Sequence, residues 1–115
     1  MKTDMNYLKT MSGDNPELMS EMIDIFMEQI DGLFADMKTT LDKKDYMTLG
    51  KVAHKAKSSV AIMGMNELSA RLKELELLTK NSEKTETYPE YLDLFKNETR
   101  EAIVELREFQ KTLSH

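Results

Sequence analysis

The sequence predicts an all-α protein: an antiparallel up-down-up-down four-helix bundle with a short capping helix at its N-terminal end. Three observations lead there. Apolar residues return at spacings of three and four along most of the chain, the period of one helical face. Only two prolines and four glycines occur in 115 residues, which leaves room for long uninterrupted helices. Mostly short polar breaks separate the periodic runs, and short connections favour antiparallel neighbours.

The elements follow in order. Residues from about Met5 to Met11 are expected to form the capping helix. At Gly13-Asp14-Asn15-Pro16, Asn15 is placed to cap free backbone N–H groups. Pro16 suits the first helical position, where its missing donor costs nothing, and Glu17 faces the positive helix end. Met19, Met22, Ile23, Phe26, Ile30, Leu33, Phe34, Met37 and Leu41 then mark one apolar face, giving a long helix over about 15–41. The polar run Asp42 to Asp45 breaks it, with Asp45 as the next cap. Leu49, Val52, Ala53, Ala56, Val60 and Met63 form the stripe of a second helix over about 45–63, and Gly64 stands where a left-handed residue ends it. Asn66 is a further cap candidate, opening a helix over about 66–79 with Leu68, Leu72, Leu75 and Leu78 inward. Lys80 to Thr87 reads as a surface loop. Pro89 lies near the start of a last helix over about 88–113, in which Leu92, Phe95, Ala102, Ile103, Leu106, Phe109 and Leu113 keep the period. The whole of 1–115 is read as one domain, without internal repeats.

Composition narrows the function. Absence of cysteine excludes a disulfide framework, a zinc–thiolate site and a cysteine nucleophile, and suits a reducing compartment. No stretch approaches eighteen consecutive apolar residues and the N-terminus lacks the apolar segment of a secretory signal, so a cytoplasmic location off the membrane is expected. The net charge of −5 argues against nucleic acid, whose phosphates are bound by clustered Lys and Arg. The charge is uneven, however. No acid occurs between Asp45 and Glu67, where Lys51, Lys55 and Lys57 accompany His54.

His54 is one of two histidines; the other, His115, is the terminal residue and is expected to be disordered. At about 100° per residue His54 points roughly 140° from the apolar stripe, toward solvent. Gly50, Ser58 and Ala61 fall on the side where the ring emerges, so a partner protein can approach it closely. Met47 projects nearby, whereas Met19, Met22 and Met37 fit the core spacing. Lys57, one turn on, places positive charge beside any group carried by the ring. A phosphoryl group on imidazole carries negative oxygens, so a neighbouring ammonium favours both the neutral nucleophile and the product. A negative charge beside the ring would oppose both, and none of the residues Tyr46 to Asn66 is an acid.

The stretch Ala53-His54-Lys55-Ala56-Lys57-Ser58-Ser59, with Gly64 ten residues after the histidine, resembles the signature of histidine phosphotransfer domains: His54, Lys57, the small Ser58 and Gly64 all align. The resemblance covers nearly the whole chain from about Asp14. Ala56 replaces the larger aliphatic residue common before the lysine, and Ser58 stands where glycine is frequent, narrowing the approach to the ring. The resemblance implies a phosphocarrier without kinase activity of its own. His54 would accept phosphate through Nε2 from an aspartyl-phosphate on a response-regulator receiver domain and pass it to another, upstream of which acts a hybrid histidine kinase. Lys57 would stabilise the phosphoryl oxygens, and Gly64 would serve structure. Met47, Gly50, Lys51, Lys55, Ser58 and Ala61 would meet the partner. No cofactor or metal is expected on the chain, because the receiver supplies the magnesium. A free-standing monomer is expected.

The competing reading is a helical interaction module that docks receivers or kinases and is never phosphorylated. A di-metal bundle enzyme would need inward Glu-x-x-His pairs, and a triad hydrolase a second internal histidine; neither is present in the sequence.

Overall fold

The computed structural model describes residues 2–113, so the expectation for His115 lies outside the described residues. It is helical, with α1 at Asn6–Ser12, α2 at Pro16–Asp42, α3 at Tyr46–Ile62, α4 at Asn66–Lys80 and α5 at Tyr88–Leu113. Among the described residues there is no strand, and no helix is long and apolar enough to cross a membrane. The segment read as a surface loop, Lys80 to Thr87, carries a 3-10 turn at Thr85–Thr87.

The four long helices close a ring in which α2 packs on α3 and α5, and α4 packs on α3 and α5. Their inward stripes are the predicted ones: Ile23, Phe26, Ile30 and Met37 from α2 meet Leu49, Ala53, Ala56 and Val60 from α3. Leu72 and Leu75 from α4 and Phe95, Ala102 and Leu106 from α5 complete the core. Burial of such side chains contributes roughly 1.5–3 kcal/mol each, so the stripes are what hold the ring together. Met19 and Met37 are buried and Met22 packs against the core from its edge.

Local chemistry sets the ends. Asn15 accepts the Leu18 N–H at 3.1 Å with Pro16 as the first helical residue, and Asp45 accepts the Thr48 N–H at 3.2 Å. Asn66 is not a cap. It is the first residue of α4, preceded by Met65, whose side chain is drawn into the core while backbone bonds to Val60 and Ala61 close the turn. Gly64 takes a left-handed φ of +74°, and an added Cβ would collide with the backbone of Asp4.

That collision marks a feature the sequence did not reveal. Residues 2–4 form a strap between α5 and the α3–α4 turn. The Lys2 and Thr3 N–H groups donate to Glu105 at 2.8 and 3.0 Å, the Thr3 hydroxyl to the same carboxylate at 2.8 Å, and the Asp4 N–H to the Met63 carbonyl at 3.0 Å.

Candidate functional site

The strongest helix pairing in the bundle is the α3–α4 hairpin, and it builds the site. Gly50 lets the two helices approach, because a Cβ there would strike the Thr79 side chain. Near the turn, the Ser69 hydroxyl donates to the Lys57 carbonyl at 3.2 Å. In an antiparallel hairpin, residues at similar distances from the turn face one another. His54, ten residues before Gly64, therefore meets Glu76, twelve after it.

The His54 side chain is 59% exposed and rises from the edge of α3, as the helical rotation predicts. Its Nδ1 lies 3.0 Å from Glu76 Oε2, and the other carboxylate oxygen accepts from Lys57 Nζ at 3.2 Å. Lys57 Nζ also stands 3.4 Å from Nδ1. Burial would raise the Glu76 pKa, but the hydrogen bond and charge of Lys57, and then His54, outweigh it and hold the carboxyl below its ordinary value. An ionised carboxylate only accepts, so Nδ1 carries the proton and donates it to Glu76. Nδ1 then has no lone pair for Lys57, whose contact with the ring is a close approach. In the neutral ring the lone pair is then on Nε2, which has no hydrogen-bond partner among the described residues.

A carboxylate therefore stands beside His54 although none of the residues Tyr46 to Asn66 is an acid. α3 itself carries no acid; Glu76 arrives from α4. Lys57 balances the charge of Glu76, and the contact of Glu76 with Nδ1 orients the ring.

The other predicted residues divide into two groups. Met47, Gly50, Lys51 and Lys55 gather with His54 around a groove of about 580 Å³, joined by Thr79 and Lys80 from α4. Met47 is 74% exposed, but Gly50, expected at the surface, is buried under Thr79 as the floor of the helix contact. Ser58 and Ala61 lie in a different groove, facing Asp4 and Tyr7 of the strap and α1. The ring stands between the two. Lys57 reaches His54, as predicted, but from the Nδ1 side. A larger groove between α4 and α5, lined by Leu77, Glu83 and Tyr91 among others, does not include His54. Among the described residues no three His, Asp or Glu side chains converge as a metal site.

The family model for the Hpt domain matches residues 21–109, from the second turn of α2 to the last turns of α5, and so includes both His54 and Glu76. The chain belongs to the histidine phosphotransfer (Hpt) domain family. No curated protein and no solved structure matches it. Membership implies a phosphotransfer role in two-component signalling, as a carrier that interacts with receiver domains and kinases.

Proposed function

We propose that this protein is a phosphorelay intermediate in which His54 accepts a phosphoryl group from a receiver-domain aspartyl-phosphate and returns it to a second receiver. The observation that carries the reading is an exposed imidazole whose Nδ1 is held by Glu76 at 3.0 Å while Nε2 has no hydrogen-bond partner among the described residues. The Nε2 lone pair attacks phosphorus in line, the N–P bond forms, and the P–O bond to the aspartyl carboxylate breaks. The electron pair leaves with that carboxylate. The ring becomes positively charged as it reacts, and the ionised Glu76 beside Nδ1–H stabilises that charge while fixing the tautomer. Reversal on a second receiver needs no further group.

Lys57 balances Glu76 in the resting state, and its flexible stem allows the ammonium to turn toward the phosphoryl oxygens once they are present. Gly64 keeps a structural role at the hairpin turn. The magnesium belongs to the receiver, and the chain itself has no autokinase activity. A hybrid histidine kinase is the upstream partner, the location is cytoplasmic, and the bundle runs up-down-up-down as a monomer over a single domain. Met47, Lys51 and Lys55 meet the partner beside the ring, with Ser58 and Ala61 on its other flank.

The test is incubation with receiver domains pre-phosphorylated by a small-molecule donor. Acid-labile, base-stable phosphate is expected on the wild type and none above background on His54→Gln, with the helical circular dichroism of both unchanged. Equal labelling of His54→Gln would overturn the assignment, and absence of label on the wild type with any receiver would favour a docking module.

A further inference from the structure

Glycine inside a helix is less favourable than alanine, because it gives up more backbone freedom on folding. α2 and α3 each hold one such glycine, and their surroundings differ. A Cβ added at Gly32 would meet open space, whereas one added at Gly50 would collide with the Thr79 hydroxyl oxygen and come within 3.3 Å of the Thr79 Cβ. Thr79 is held in place: it is buried, and its hydroxyl donates to the Glu76 carbonyl at 2.7 Å. Gly50 lies one turn before His54 on α3, and Thr79 one turn after Glu76 on α4. On the other side of the His54–Glu76 bond, the Ser69 hydroxyl donates to the Lys57 carbonyl at 3.2 Å. A cross-helix contact thus flanks that bond at each end.

We infer that Gly50 and Thr79 are a positioning pair: their contact sets the separation of α3 and α4 at which Glu76 holds Nδ1 of His54, and so keeps the proton off Nε2. The tautomer of a neutral imidazole follows the hydrogen bond that one of its nitrogens makes. At 3.0 Å the Nδ1–Glu76 bond is well formed, and it is lost once the atoms part beyond about 3.5 Å. Bringing a methyl group at Gly50 to ordinary van der Waals distance from Thr79 takes about 1 Å of helix displacement, which exceeds that tolerance. Gly50 touches neither the ring nor the carboxylate, and acts through the spacing of the two helices. The consequence for reactivity rests on the phosphotransfer reading; the consequence for the tautomer does not.

The experiment compares the full chain with Gly50→Ala, with Gly32→Ala as the same change where nothing is in the way, and with Gly50→Ala combined with Thr79→Ala, which clears the collision. Two quantities are read: which ring nitrogen of His54 carries the proton, from imidazole nitrogen-15 spectra assigned with His54→Gln, and the rate at which phosphoramidate labels His54. Wild type and Gly32→Ala are expected to carry the proton on Nδ1 and to label alike. Gly50→Ala is expected to move the proton toward Nε2 and to slow labelling about tenfold, and the double variant to restore both. Thr79→Ile adds a milder wedge from the α4 side and carries the test should Gly50→Ala not fold; the same tautomer change with a smaller fall in rate is expected. A wild-type tautomer in the folded wedge variant, slower labelling without a tautomer change, or a double variant that restores neither quantity each overturns the inference. If the tautomers change as expected but phosphoramidate leaves His54 of the wild type unlabelled, the phosphotransfer reading fails while the positioning pair stands.

Discussion

Glu76 and Glu105 are the same device used for two purposes. Each is a carboxylate on the rim of the bundle that draws together groups from elements far apart in sequence. In each, burial would raise the pKa but hydrogen bonds and nearby positive charge hold it below the ordinary value. Glu105 collects two backbone N–H groups and a hydroxyl from the N-terminal strap, groups that have no chemistry beyond being satisfied. Glu76 collects an imidazole and an ammonium from α3, and the other ring nitrogen has no hydrogen-bond partner among the described residues. What distinguishes the two carboxylates is the identity of the donors they hold.

The sharpest test of that contrast is Glu76→Ala. Without the carboxylate, the ring loses its fixed tautomer and the Lys57 ammonium opposes the charge that develops on it. Single-turnover phosphotransfer to His54 is expected to slow about a hundredfold, with Glu76→Gln intermediate because the amide oxygen still accepts from Nδ1–H. A rate within twofold of wild type would make Glu76 as purely structural as Glu105.

Gly64→Ala strikes the strap end instead. A side chain at a left-handed φ, pressed against the Asp4 backbone, is expected to cost about 2–3 kcal/mol in urea denaturation, through strain and displacement of the strap. The transfer rate of the folded fraction should hold. Loss of transfer in folded protein would show that the two ends of the hairpin are coupled.

The smallest effect is acid sensitivity. Both carboxyls have folded pKa values below the ordinary 4.5, so their contribution to stability is fully present above that value and is lost as pH falls through the folded values. Urea midpoints measured from pH 6 to pH 3 should fall in the wild type and fall less in Glu105→Gln, which titrates no carboxyl at the strap. Identical slopes would remove Glu105 from the acid response.

Helices were legible where the information is local. The Asn15-Pro16 and Asp45 caps and the three-and-four spacing of apolar residues depend on contacts within a turn or two, and His54 could be placed at the surface because rotation about one helix is fixed geometry. Asn66 failed as a cap because Met65 gains more from entering the core than Asn66 gains from capping, and burial is decided by neighbours. Gly50 has the same cause: a position read from one helix as a surface gap is, in the hairpin, the place where Thr79 fits. Glu76 left one usable signal, its near-equal distance from the Gly64 turn opposite His54, but counting across the turn requires knowing that α3 and α4 pair most closely. The strap left none, since Lys2 and Thr3 lie 103 and 102 residues from Glu105.

By itself, then, the sequence determined the all-helical class, the inward stripes and an exposed histidine with a lysine one turn away, because each follows from the helical period. Tertiary structure decided which nitrogen of that histidine is held by Glu76, which lysines share its groove and what ties the N-terminus to α5. Those depend on side chains brought together from different helices, and only the packing of the bundle sets such distances.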